Sequence, residues 1–488
     1  MLTTLVFENK AIHVYPHETL LDALKRNGFD IAAECGKKNR CGSCRIRLLS
    51  GNYICNGKML SVTEDSPVEM NSCALKMLSN GKAEYPRKKT TESFSEIRQD
   101  FSIEIPADFP VSLVFDLGTT NVEAALIENG RISRSTLLNQ QTLFGDNVIE
   151  RIAFAADSAH RETLRRALIK ETCLPLIKKL TNHPDKIQQV FVSGNTAMTH
   201  FFFNEDPSLL GQAPFQPEKL SFKGTAQSTG LDILLPETPV TAIPCLGGFI
   251  GGDITAGLLH TGFCDKNSCN LFMDIGTNCE MFLNVNGKYY ALSAAAGPAF
   301  ERGNQRADDS GTVRHISFEE NQWKTVPELE QVNGFCGTAL VDLLAEGKRH
   351  SFLDSFAKWQ KTPVMPEIQR CSNAVLSELV SAKAAIQSGL KVLFNYAGIT
   401  EHDIDKVYLA GNFAAHLDIP NAVLIGLLPD LCEEKFIRCG NAALAGTILC
   451  AISPERISET EMIRKKTTLI NPAEEPDYMR LFTISMNI

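Results

Sequence analysis

Three features of the sequence predict an α/β fold in which one unit is duplicated behind a small α+β module. Asp116-Leu117-Gly118-Thr119-Thr120-Asn121 and Asp274-Ile275-Gly276-Thr277-Asn278-Cys279 are two versions of one turn. Each is followed, after helical material, by an apolar run ending in Gly-Asn, at residues 190–195 and 407–412. Ahead of both lies a cluster of three cysteines, Cys35, Cys41 and Cys44.

Residues 1–86 read as the first module. Residues 2–7 and 11–14 are short period-2 runs on either side of Glu8-Asn9-Lys10, the pattern of a hairpin. Residues 19–27 predict a helix: Thr19 caps it, Asp22 sits in its first turn, and Gly28 suits the position just past its end. Cys35, Cys41 and Cys44 follow with glycines between them, so three thiolates can turn towards one centre. A four-cysteine site needs one more ligand, and Cys55 and Cys73 are the candidates. With Cys73 the spacing is C-x5-C-x2-C-x28-C. Plant-type [2Fe–2S] centres use C-x4-C-x2-C and a distant fourth cysteine, so Cys73 is preferred. Zinc is the plainer alternative, but its sites more often pair two short cysteine motifs.

Residues 87–110 carry Lys88, Lys89, several Ser and Thr, Pro106 and Pro110, with little apolar periodicity; they read as a linker. Residues 111–488 form the duplicated module, divided at about residue 240 into two similar subdomains. In each, an apolar run leads into the D-x-G-T turn, a second run follows, and an Asn-Gly turn comes next, at Asn129-Gly130 and Asn286-Gly287. Asn-Gly between apolar runs signals a hairpin, because both residues tolerate positive φ. Helical spacing appears over residues 161–180, interrupted at Pro175, and over 377–396, each before a Gly-Asn strand. A dinucleotide fold would place a helix directly after the first glycine turn, and here a strand follows.

The turn chemistry suggests why the unit is repeated. Gly118 and Gly276 let backbone N–H groups approach an anion, and the neighbouring Thr hydroxyls add donors. Asp116 and Asp274, at the strand ends, are placed to hold a hydrated Mg²⁺ that neutralises phosphate. Two such hairpins facing each other would grip a nucleotide from both sides.

Composition narrows the class. The formal net charge of −9 argues against a general nucleic-acid binder. No basic region followed by a long apolar one opens the chain, and the glycine-rich residues 242–264 include Asp253 and His260, so neither a secretory signal nor a membrane span is expected. Fifteen scattered cysteines do not form a disulfide framework, which points to a reducing cytoplasm.

On its cysteine spacing, the first module resembles a plant-type or adrenodoxin-like ferredoxin domain. The order D-x-G-T, S-G-N, D-x-G-T, A-G-N resembles the ASKHA superfamily of acetate and sugar kinases, actin and their relatives. That resemblance implies phosphate contacts from Thr119, Thr120, Thr277 and Asn278, with Gly118, Asn121 and Gly276 shaping the turns. It implies Mg²⁺ organised by Asp116 and Asp274, and adenosine near Gly411 and Asn412. Asp253, in a glycine-rich setting that permits close approach, is a candidate to position water or metal.

Joining the two modules narrows the resemblance. The runs at residues 243–253, 296–301, 333–338, 425–429 and 440–446 look like those of the reductive activators of corrinoid proteins. This implies a [2Fe–2S] cluster, ATP and Mg²⁺, and ATP-dependent reduction of a corrinoid protein from Co(II) to Co(I) by an upstream low-potential electron donor. A nucleotide-gated redox switch and a small-molecule kinase with an accessory cluster are the alternatives. Larger members of that family carry a further domain after the linker. Here Pro110 runs almost directly into Asp116, so that domain is expected to be absent. The oligomeric state is left open, a homodimer included.

Overall fold

The computed structural model describes residues 3–8, 10–16, 18–29, 31, 44–55, 57–64, 66–85, 94–95, 105–106, 108–145, 147–263, 265, 267–297, 299–302, 312–327, 332, 334–360 and 371–488. The chain separates into two compact units, Met1–Thr90 with Gln141–Asp146, and the remainder.

In the first unit, Thr3–Phe7 pairs antiparallel with Lys10–Val14, closing the hairpin at Phe7 and Lys10. The long strand Arg45–Cys55 organises the rest, pairing antiparallel with Lys58–Val62, Val68–Asn71, Leu75–Met77 and Gly81–Glu84. The helix Leu20–Arg26 is capped as its sequence predicts, the Thr19 hydroxyl accepting the Asp22 N–H at 3.3 Å. Its Leu20, Leu21, Ala23 and Leu24 are buried in an apolar cluster that includes Cys44 and Cys73. Of the linker residues 87–110, most lie outside the described residues; Phe94–Ser95 adds an edge strand to the second unit.

The second unit carries the duplication. Its first half contains β1 (Ser112–Leu117), β2 (Asn121–Glu128), β3 (Arg131–Leu138), β4 (Gln189–Gly194) and β5 (Pro239–Ala242). Its second half contains β6 (Cys269–Ile275), β7 (Cys279–Val285), β8 (Lys288–Ala294), β9 (Lys406–Ala410) and β10 (Phe436–Gly440). The two sheets have the same order: β5-β4-β1-β2-β3 in one, β10-β9-β6-β7-β8 in the other. In each, the first three strands form an antiparallel meander and the last two add in parallel on the other side of the first. Both Asn-Gly turns adopt positive φ at both residues, 51° and 71° at Asn129-Gly130 and 52° and 82° at Asn286-Gly287. That matches the twist a two-residue hairpin requires.

Four helices pack on or between the two sheets: α1 (Thr196–Phe203), α2 (Gly252–His260), α3 (Asn373–Ala397) and α4 (Ala442–Ile452). α1 follows β4, and α2 and α4 follow β5 and β10, so the latter two are counterparts in the two halves. They meet closely: a Cβ on Gly446 would stand 1.8 Å from the Ala256 carbonyl oxygen, so only glycine permits this crossing. Around them, Ile254 and Leu258 of α2 and Leu444 and Ile448 of α4 join Val114 and Ala125 of one sheet and Phe272 and Phe282 of the other in one core. A second core lies between the other face of the second sheet and α3. The helical stretch at residues 161–180 is divided as its proline suggests. Ser158–Leu168 and Leu174–Leu180 are α-helical around a π-helical turn at Ile169–Cys173, with Pro175 in the first turn of the second segment. Among the described residues, no helix is long and apolar enough to cross a membrane.

Candidate functional site

In the first unit, Cys44 precedes the strand Arg45–Cys55, and Cys73 lies in the tight 3-10 turn Ser72–Ala74. Ser72 holds the two together. Its N–H and its hydroxyl both donate to the Cys44 carbonyl, at 2.8 and 2.7 Å. Both cysteines are buried, at 1% and 7% exposure, which is the low-dielectric setting a thiolate-bound cluster needs. Cys55 ends the same strand, half-buried and in register with Leu75. Cys35 and Cys41 lie outside the described residues. The described part of the donor set therefore fits an iron–sulfur cluster in residue type, burial and proximity.

In the second unit, the two D-x-G-T turns end β1 and β6, the first strands of the two meanders. Asp116 stands in register with Glu123 on β2, and Asp274 with Glu280 on β7. Each turn thus carries a carboxylate on both arms. Asp253, in the first turn of α2, brings a fifth. Burial pushes Asp116 up to about 7; the amide of Asn441 pulls it back, while Asp253 and Glu123 add like charge. Asp253 is likewise raised to about 7, by burial and then by Asp274. Glu280 is raised well above the usual carboxylate range, by burial and then by Asp253 and Asp274, against a 3.1 Å hydrogen bond from the Ser293 hydroxyl. Five acidic side chains from both halves therefore share one electrostatic environment, which a cation would relieve. Among the described residues, no three His, Cys, Asp or Glu side chains are close enough to ligate a metal directly.

The loop at 118–120 is fastened from behind. The Asn139 amide donates to the Gly118 carbonyl at 3.0 Å, its N–H donates to the Thr120 carbonyl at 2.8 Å, and Arg151 donates to the Thr119 carbonyl at 2.6 Å. Arg151 is wholly buried. Three successive carbonyls are thus engaged inward, so what the loop offers an anion is its N–H and hydroxyl donors. Asn121 begins β2 and is exposed.

Two Gly-Asn turns converge on the first hairpin, and a third approaches the second. Asn195 caps α1, accepting the Met198 N–H at 2.9 Å, while its amide donates to the Thr119 hydroxyl at 3.0 Å. Asn441 caps α4 and donates to Asp116 and Glu123, each at 2.9 Å. Gly411 has φ +89°, and a Cβ there would lie 2.7 Å from an Asp274 carboxylate oxygen, so the turn after β9 needs glycine both for its backbone and for this approach. Asn412 begins the short helix after it. In the second loop, the Gly276 N–H donates to the Asn278 carbonyl at 2.8 Å, and Thr277 is buried. Asn278 reaches the first half: with Asn195, Gly248 and Phe249 it lines a cavity of about 10 Å³, about room for one water.

Glu123, Glu280, Asn139, Arg151, Asn195 and Asn441 belong to this site without having been singled out for it from the sequence. A signal existed for several. An acidic residue recurs on the second arm of both hairpins, and Gly440-Asn441 repeats the Gly194-Asn195 and Gly411-Asn412 pair a third time. Arg151 and Asn139 give no local signal; only the fold brings them to the loop.

Comparison with known proteins identifies both units. Residues 7–78 match the 2Fe-2S iron-sulfur cluster binding domain. Residues 111–266 match the RACo middle region, and 268–376 and 371–488 match the C-terminal domain of RACo, the ASKHA domain. The stretch that the middle-region description matches begins directly after Pro110 and holds the first half of the duplicated unit. The corrinoid activation enzyme RamQ of Eubacterium limosum is 31% identical over 422 residues, covering 76% of this chain and 69% of the relative. The [Co(II) methylated amine-specific corrinoid protein] reductase of Methanosarcina barkeri is 23% identical over 402 residues, covering 73% and 72%. The solved structure of a reductive activator for corrinoid,iron-sulfur protein shares the fold over 100% of this chain and 98% of its own, with a TM-score of 0.68 and 24% identity.

Proposed function

The chain belongs to the family of reductive activators of corrinoid proteins, and from that premise we propose how its residues do this work. It is an ATP-dependent iron–sulfur reductase that returns the cobalt of a corrinoid protein from Co(II) to Co(I). One electron enters from a low-potential donor and ends on cobalt, and ATP is hydrolysed to ADP and phosphate. The observation that carries the reading is the joining, in one chain, of a buried cysteine pair in a ferredoxin-type unit to a duplicated sheet unit with a carboxylate-bearing turn in each half.

Cys35, Cys41, Cys44 and Cys73 hold the [2Fe–2S] cluster in this reading. When bound, the cluster supplies a one-electron relay at low potential. Thr119, Thr120, Thr277 and Asn278, with the turns shaped by Gly118, Asn121 and Gly276, take the phosphates. Asp116 and Asp274 would hold a hydrated Mg²⁺, which would neutralise phosphate charge, and Asp253 would orient the attacking water. Gly411 and Asn412 border the adenosine. Driving an electron uphill costs about 1.4 kcal/mol for every ~59 mV, so a gap of a few such steps lies within reach of ATP. Closure of the two halves on nucleotide favours the state docked to the corrinoid protein, and hydrolysis releases it. The reading places the chain in the cytoplasm, where thiols stay reduced. Sedimentation would decide between a monomer and a homodimer.

The test is anaerobic. The protein, a reductant and a Co(II) corrinoid protein from the same organism are combined, and the visible spectrum is followed with and without Mg·ATP. Co(I) accumulating only with ATP is expected; Co(I) forming equally without it would overturn the reading.

A further inference from the structure

Asn441 begins α4 in the second half, yet its side chain works on the first. Its Oδ1 accepts the Leu444 N–H at 2.8 Å, so the amide orientation is set by chemistry and only Nδ2 remains to donate. That nitrogen bridges two carboxylates, Asp116 Oδ2 and Glu123 Oε2, each at 2.9 Å. The other side of Glu123 faces Arg134, at 3.9 Å. One NH2 group, with two hydrogens, is thus matched to two acceptors that belong to the two arms of the first hairpin.

The packing behind Asn441 gives this bridge a consequence. α4 is packed against α2 through the Gly446–Ala256 contact, and α2 carries Asp253 in its first turn. Asp253 in turn interacts by like charge with Asp274 of the second hairpin. The first-hairpin carboxylates are thus linked, through one amide and the closely crossed α4 and α2, to an acid that interacts with the second hairpin. The N-terminal end of α4, with its positive dipole, points at the same two acids and reinforces the amide.

We propose that Asn441 is a positioning residue for nucleotide hydrolysis: its amide holds the Asp116 and Glu123 carboxylates together and ties the first turn to α4 of the opposite half, which crosses α2 of its own. This rests on the nucleotide reading of the cleft given above. Asn441 itself touches no substrate; it acts through Asp116.

An ordinary capping role predicts different behaviour. Aspartate and serine cap helices about as well as asparagine, so N441D and N441S keep the α4 cap while removing the Nδ2 donor. Steady-state ATP hydrolysis by the full-length protein is measured for the wild type, N441D, N441S and the double variant N441D/E123Q, with thermal unfolding of each as a folding control. The double variant exchanges the amide and one carboxylate across the same bridge.

Positioning predicts that both single variants lose kcat by about tenfold to a hundredfold, the range for losing a hydrogen bond to a charged group, while KM for ATP changes far less. It also predicts that adding E123Q restores a large part of the activity lost in N441D. Capping alone predicts near-wild-type kcat in N441D and N441S and no rescue. Wild-type-like kcat in both single variants would overturn the proposal and leave the nucleotide reading intact. A wild-type protein that hydrolyses no ATP would overturn both.

Discussion

Burial pushes the Asp253 carboxyl, in the first turn of α2, up to about 7, and the like charge of Asp274 in the other half adds to the shift. Asp116 titrates near the same value for a related reason, burial with Asp253 and Glu123 close by. In the unfolded chain both ionise near 4, so between about pH 4 and 7 the folded protein binds more protons than the unfolded one. Folded stability therefore falls as pH rises through that window. The melting temperature of the nucleotide-free protein should drop between about pH 4 and 7, and D253N should flatten the drop and raise the value at pH 8. A pH dependence unchanged by D253N would contradict this assignment.

The same carboxylates make cation binding pH-dependent. Mg²⁺ competes with protons for the Asp116 and Asp253 environment, so Mg·ATP affinity should strengthen as pH rises through about 7 and level off above it. Isothermal titration at several pH values reads this directly. Affinity independent of pH across that range would show that the acidic cluster does not meet the cation.

Cys73 and Cys55 can be separated experimentally. Ser72 ties the Cys73 turn to the Cys44 carbonyl, so Cys73→Ala should abolish the cluster, with loss of bound iron and of the reduced-state EPR signal. Cys55→Ala should retain both. The reverse result would move the fourth ligand to Cys55.

Gly411 offers a test of the second turn. A methyl group there would meet the Asp274 carboxylate while the backbone holds φ +89°. Gly411→Ala should cost about 1–3 kcal/mol of stability and weaken ATP binding, because the carboxylate must move. A variant with unchanged melting temperature and unchanged KM would show that Asp274 has room to spare.

Arg151 probes the first turn from behind. Arg151→Met preserves much of the buried volume but removes the donor to the Thr119 carbonyl. Leaving that carbonyl unsatisfied should cost about 1–3 kcal/mol, seen as a lower denaturation midpoint, and loosen the loop enough to raise KM for ATP. Loss of stability with KM unchanged would confine Arg151 to a packing role.

Much of the fold was legible because the duplication is local. Each D-x-G-T turn, its flanking apolar runs and its Asn-Gly turn lie within one hairpin, where sequence spacing and spatial neighbourhood coincide. The same holds for the Thr19 cap and the Pro175 break. Legibility ended where contacts cross the chain. Asn441 lies 325 residues from Asp116, and nothing in a local window can pair them. Arg151 resembles an ordinary helical arginine until the fold buries it beneath Thr119. The five-acid environment also depends on bringing β1, β6 and α2 together, and spacing alone does not measure that.

The central claim is that ATP drives a cluster electron onto cobalt, and a single turnover tests it most directly. The protein is reduced, freed of excess reductant, and mixed anaerobically with a Co(II) corrinoid protein while cluster and cobalt absorbance are followed together. On adding Mg·ATP, the account predicts cluster reoxidation in step with Co(I) formation, one electron to one cobalt, and no change before ATP is added. A cluster that stays reduced while ATP is hydrolysed, or Co(I) that forms to the same extent before ATP is added, would contradict it.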